Sequence, residues 1–143
     1  GADSAGINKR MFETVSRQRL ALELKALSTL EYHMDGRVAV LTITRAMCGQ
    51  TGVKDSEIEG IPSIPVRIAG VQVGITVKEK EDGVVKVSVR TVVGVNASAI
   101  CSRLGGGGHA NAAGCAFSGY TVAQARDAIL RVTREALDGT GAA

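Results

Sequence analysis

The chain has 143 residues, 45% of them hydrophobic and 22% charged, the usage of a single globular domain that buries about 70% of its unfolded surface without staples. This excludes disordered and collagen-like classes, and no apolar run reaches the ~18 residues of a membrane span or follows a charged start as in a signal peptide. The net charge of +3 and pI near 8.9 favour anionic partners but do not by themselves establish nucleic-acid binding.

Ile7, Met11 and Val15 fall four apart, and Leu20, Leu24, Leu27 and Leu30 recur at helical spacing, so residues 1–35 read as lead-in helices. Thr14 and Ser16 interrupt them. Ser16 caps a second helix that runs to about Tyr32 and ends at the Asp35-Gly36 turn. Segment 37–44, with Val38-Ala39-Val40-Leu41 apolar on both alternating faces, predicts a buried, central strand. Between 45 and 70, Gly52, Gly60, Pro62 and Pro65 divide the chain into two short helices and a loop.

Val71, Val73, Ile75 and Val77 alternate with polar or small residues, as do Val85, Val87 and Val89, and Asp82-Gly83 marks a hairpin turn between the two strands. On the second strand Lys86, Ser88 and Arg90 share the face opposite the valines, which gives the sheet one polar, basic edge. Asn96 caps a short helix that turns Ile100 and Leu104 to the core before Gly105 ends it. Thr121 and Gln124 form a capping box for the last helix, where Val122, Ala125, Ile129, Val132 and Ala136 repeat at helical steps, and residues 139–143 form a disordered tail. The fold class is therefore α/β: one domain, a central mixed β-sheet flanked by helices, with its core in residues 36–138.

Cys48, Cys101 and Cys115 are odd in number and show no CxxC or Cys/His ligand pattern, so they read as reduced thiols in a cytoplasmic protein. The 18 glycines are the unusual excess, about 13% of the chain against a usual ~7%. Four are adjacent, Gly105 to Gly108, followed by His109 and Asn111. Adjacent glycines carry a high entropic cost, and a physical reason for them is a bare backbone that a ligand approaches closely, with amides and the His109 imidazole donating to a phosphate or carboxylate. The alternative is a tight connection after a helix, with His109 satisfied structurally. The run is not a Walker A loop, since no Lys-Ser or Lys-Thr follows it.

Arg90, a cation fixed on a strand face, suits bidentate contact with phosphate, though an exposed arginine is also an ordinary solvated residue. Arg45 and Arg103 are secondary binding candidates that could equally be surface charge. The two histidines, His33 and His109, stand in segments without ligand spacing, and no GxSxG nucleophile setting occurs, so the chain presents no self-contained catalytic or metal site.

The run GGGGHANAAG at 105–114, with KVSVRT at 86–91 upstream, closely resembles the DHH-associated C-terminal domain, first type, of DHH-family phosphoesterases. The resemblance covers nearly the whole chain and extends to INKRMFETVSRQRLAL at 7–22, to TITRAM at 42–47 and to the order of strands and helices. Among subfamilies the chain is most similar to bifunctional oligoribonucleases (nanoRNases) with pAp phosphatase activity, more than to RecJ-like exonucleases or cyclic-dinucleotide phosphodiesterases. In such proteins an N-terminal DHH domain binds two Mn2+ ions through aspartates and histidines, and the C-terminal domain closes over the cleft to hold substrate. This chain departs from that pattern by lacking the DHH domain. The resemblance thus implies no catalytic residue and no metal ligand here, two Mn2+ in the missing domain, and no turnover by the isolated chain. The start at Gly1-Ala2 without Met fits an excised domain or a tag-cleavage product, and equally the ordinary removal of Met before Gly.

By the same resemblance, Gly106, Gly107, Gly108 and His109 bind the phosphate or sugar-phosphate of a short nucleotide, Asn111 lies beside it, and Arg90 clamps a phosphate remote from the scissile bond. The implied partners are short RNA or a nucleotide and the protein's own DHH domain, with no membrane and with a homodimer left open. The competing readings are a free-standing RNA- or tRNA-binding module, like that of alanyl-tRNA synthetases, part of a cyclic-dinucleotide phosphodiesterase, or a glycine run that is purely structural.

Overall fold

The computed structural model describes residues 14–139, so the spacing of Ile7 and Met11 and the tail beyond Gly139 lie outside the described residues. Ser16 caps α1 (Arg17–Leu27) as predicted, its hydroxyl accepting from the Arg19 N–H at 2.9 Å. The helix stops short of Tyr32. Ser28 and Thr29 donate their hydroxyls to the Lys25 and Ala26 carbonyls, both at 2.6 Å, and Glu31–His33 becomes an antiparallel edge strand, β1, beside β2 (Val38–Ile43). Met34, Asp35 and Gly36 all adopt positive φ, so the Asp35-Gly36 turn joins two strands rather than ending a helix.

The remaining strands are β3 (Val73–Glu79), β4 (Val85–Thr91), β5 (Gly107–Gly108) and β6 (Ala112–Phe117), in the order β1-β2-β3-β4-β6-β5. The β2–β3 pair is parallel and the other pairs are antiparallel, which makes the sheet mixed as expected. β2 is buried, but β3 and β4 hold the centre of the sheet. The predicted Asp82-Gly83 hairpin joins β3 to β4, with Gly83 at φ +84°.

A parallel pair needs a crossover, and the segment after β2 supplies it. It holds one α-helix, α2 (Arg45–Thr51), and three 3-10 turns at Asp55–Glu57, Ile61–Ser63 and Pro65–Arg67, instead of two short helices and a loop. Pro62 and Pro65 lack the amide hydrogens a longer helix would need there, so each turn stays short.

One face of the sheet packs Val40, Ile75, Val87 and Cys115 against α3 (Ala97–Ser102) and α4 (Val122–Gly139), chiefly through Ile100 and Ile129. The other face packs Leu41 and Ile43 against Leu22 and Ala26 of α1 and Ile58 and Ile61 of the crossover. The other two predicted caps form as well: Asn96 Oδ1 accepts from the Ala99 N–H at 3.0 Å, and Thr121 and Gln124 exchange bonds of 2.9 and 3.1 Å. Thr121→Ala removes one half of that box and is expected to lower stability by about 1 kcal/mol, read as a fall of several degrees in the thermal midpoint.

Candidate functional site

The crossover covers only part of the second face. Gly74 lets the Pro65–Arg67 turn rest on β3, where a Cβ would lie 2.6 Å from the Val66 nitrogen. Beyond β3 the face opens, leaving Lys86 and Ala116 exposed and Ser88, Arg90, Ala112 and Gly114 half-buried. Because β4 is an interior strand, its basic residues form a face of the sheet and not the edge expected from the sequence.

Strand register aligns that face in rows. Arg90 pairs with Ala112, and His109 and Ala112 exchange backbone bonds of 2.8 and 3.3 Å. Directly opposite residues of antiparallel strands share a face, so His109, Ala112 and Arg90 form one row, with backbones of the outer two about 10 Å apart. The next row is Gly107, Gly114 and Ser88, and the third contains Ala116 and Lys86. The floor between the charged side chains is therefore alanine, glycine and serine. A ligand lying on it can reach the main chain.

The fold itself requires three of the four adjacent glycines. Gly105 has φ +83°. A Cβ at Gly106 would fall 2.1 Å from the Gly114 carbonyl oxygen, and one at Gly108, where φ is +151°, 2.6 Å from the Ala113 Cα. Gly107 alone has neither positive φ nor any atom within 4 Å of a built Cβ. Several amides of the run are also engaged internally: Gly105 N–H donates to Ser102 O at 3.1 Å, Gly106 N–H to Cys101 O at 2.9 Å, and His109 N–H to Ala112 O at 2.8 Å. The expected cradle of bare amides is thus largely replaced by a hairpin. Since His109 and Ala112 form a bonded pair, ladder alternation turns the Gly108 amide outward at the sheet edge, next to the exposed His109 ring.

Asn111 holds this hairpin in place. Its side-chain amide donates to Thr91 Oγ1 at 3.2 Å and to Val92 O at 3.0 Å, while its carbonyl accepts from the Thr91 N–H at 3.0 Å. Both its donors are used, so its place beside the site is a positioning one. Thr91, which sequence reasoning passed over, completes the clamp by donating to Val95 O at 2.6 Å. The signal was a threonine at the end of a run of buried valines. Arg90 donates to Val89 O at 3.3 Å and makes no ion pair among the described residues, which leaves its positive charge uncompensated on the open face.

The structure does not bring Arg45 or Arg103 to this row. Arg45 lies at the opposite end of the sheet, where its N–H donates to Glu79 Oε1 at 3.0 Å beside a groove lined by Cys48, Lys78 and Lys80. Arg103 pairs with Glu135 of α4 at 2.6 Å, and that hydrogen bond holds the Glu135 carboxyl below its ordinary range. His33 lies 3.4 Å from Glu31 Oε1 on the other edge strand. Cys101 of α3 and Cys115 of β6 are both buried, and Cys115 together with burial pushes the Cys101 thiol strongly up, towards the protonated form. Among the described residues no three His, Cys, Asp or Glu side chains gather as a metal-binding group, so a two-manganese centre does not fit these residues. No helix among them is long and apolar enough to cross a membrane.

Comparisons with known proteins agree with this architecture. The bifunctional oligoribonuclease and PAP phosphatase NrnA of Thermus thermophilus is 33% identical over 117 residues, covering 82% of this chain and 34% of the relative. An exopolyphosphatase-related protein from Bacteroides fragilis superposes with a TM-score of 0.78 at 26% identity, over 95% of this chain and 38% of that one. The pGpG-specific phosphodiesterase PggH from Vibrio cholerae shares the fold, with a TM-score of 0.53 at 10% identity over 82% of this chain and 40% of its own. The chain thus spans between about a third and two fifths of the length of these relatives. The DHHA1 domain family matches residues 35–138, the whole of the sheet from the β1–β2 turn onward with the helices that follow it, and the chain belongs to that family.

Proposed function

We propose that this chain is the substrate-holding domain of a DHH-family phosphoesterase that hydrolyses short oligoribonucleotides, pAp or both. The observation that carries this is the row of His109, Ala112 and Arg90 on an open, small-residue face. A guanidinium without a carboxylate partner suits bidentate contact with a phosphate, and an imidazole one floor residue away donates to the same group or its neighbour. Gly107 and Gly114 between the strands admit the sugar-phosphate close to the main chain. The domain's contribution is orientation rather than bond breaking: it holds the nucleotide while groups elsewhere in the parent protein act on the scissile bond. In this reading the DHH domain closes over the open face, and the manganese ions and the cytoplasmic location belong to the whole protein. The Thermus relative, named for both activities, supports this substrate class over cyclic dinucleotides.

Titration of the isotopically labelled chain with pAp and with a short oligoribonucleotide, followed by NMR, tests this. Amide shifts are expected at Arg90, Gly107, His109, Ala112 and Gly114, with affinity falling as salt rises. His109→Ala is expected to weaken both ligands by about 10-fold, the equivalent of ~1.5 kcal/mol for the loss of one hydrogen bond to a charged group. Shifts confined to the groove beside Arg45, or no shifts at all, would overturn the assignment.

A further inference from the structure

The open face continues beyond Arg90. Lys86 lies on the same side of β4, four residues away, about 13 Å along the strand at ~3.3 Å per residue. Between the two cations stands Ser88, and alongside run Ala112, Gly114 and Ala116 of β6. No side chain on this path exceeds the size of serine, so an extended ligand can lie flat along it. The far end is positively charged. Lys78 sits opposite Lys86 in the β3–β4 register, with Lys80 just beyond, and Asp55 is the carboxylate near them. Lys78 is paired with Asp55, whereas Lys80 and Lys86 have no ion pair among the described residues. The hydrogen bond and charge of Lys78, followed by the charges of Lys80 and Lys86, hold the Asp55 carboxyl below its ordinary range. Two unpaired cations at the ends of a small-residue trough match a polyanionic chain better than a single phosphate group.

We infer that Lys86 is a second phosphate contact, engaged by the backbone of an oligonucleotide and out of reach of a ligand such as pAp, whose phosphates sit on one ribose. The assignment rests on the nucleotide-phosphate row proposed above, from which it extends the bound chain along β6 towards Lys86. It makes Lys86 a residue that separates oligonucleotides from mononucleotides. Lys86 is exposed, on the face of β4 opposite the buried valines, so its replacement leaves the fold intact.

The test is a pair of NMR titrations of the chain, one with pAp and one with a pentaribonucleotide, repeated on Lys86→Gln, Lys86→Arg and Arg90→Ala. Lys86→Gln is expected to weaken the pentanucleotide by about 3- to 10-fold and to lower its salt slope by about 0.7, the share of one single-strand phosphate contact. pAp is expected to keep its wild-type affinity in that variant, and Lys86→Arg to restore the pentanucleotide. Equal weakening of both ligands by Lys86→Gln, or no weakening of either, would overturn the inference while Arg90→Ala still reported on the first row. Unchanged binding of both ligands by Arg90→Ala would remove the first row and the inference with it.

Discussion

Arg90→Ala is expected to weaken binding of both pAp and short RNA by about 10- to 100-fold, the equivalent of ~1.5–3 kcal/mol for hydrogen bonds to a charged group. The size of the effect follows from where Arg90 stands. It is half-buried on an interior strand, and no carboxylate among the described residues neutralises it. Its charge is therefore held ready for a ligand. Removing it leaves no acid unpaired, so the thermal midpoint should move little. Arg90→Lys should recover part of the affinity only, because an ammonium lacks the planar fork that meets two phosphate oxygens at once. Wild-type affinity in Arg90→Ala, measured by calorimetry or NMR, would show that the guanidinium makes no contact with the ligand.

The glycine run yields the second large effect, and it separates residues that look alike in sequence. Gly106→Ala places a methyl 2.1 Å from the Gly114 carbonyl oxygen and 2.6 Å from the Cys115 Cβ, contacts that only a shift of the hairpin relieves. A loss of about 3 kcal/mol or more is expected, read as a drop of roughly 10 °C in the thermal midpoint. Gly107→Ala meets open space at an ordinary φ, so stability should hold or rise slightly. Its methyl would nevertheless land in the trough beside Gly114 and Ser88, and nucleotide affinity is expected to fall. If Gly107→Ala binds as tightly as the wild type, close approach of a ligand is not the reason for glycine at that position. Stability and affinity measured on the two variants together distinguish a structural glycine from a ligand-facing one.

Strands β5 and β6 show why part of the site was illegible in sequence. Ala112–Phe117 does alternate, with Ala113, Cys115 and Phe117 buried and Ala112, Gly114 and Ala116 on the open face. The residues are so small that the alternation carries almost no hydropathy signal. β1 was missed because a three-residue edge strand contains too little sequence to outweigh the leucine spacing before it. Arg45 and Arg103 were indistinguishable from Arg90 in sequence, since what separates them is set at long range: Glu135, the ion-pair partner of Arg103, stands 32 residues away along the chain, and Arg45 is carried to the opposite end of the sheet, where its backbone N–H meets Glu79, 34 residues away.

What the sequence by itself determined is local. The caps at Ser16, Asn96 and Thr121, the Asp82-Gly83 hairpin and the opposition of valines to Lys86, Ser88 and Arg90 on β4 all depend on residues a few positions apart, whose chemistry and period are read directly. Only the tertiary structure decided which of the four adjacent glycines the fold needs, and that His109 and Arg90 lie in one row. Both follow from the register of β5 on β6 and of β6 on β4, which long-range backbone pairing sets and no local pattern encodes.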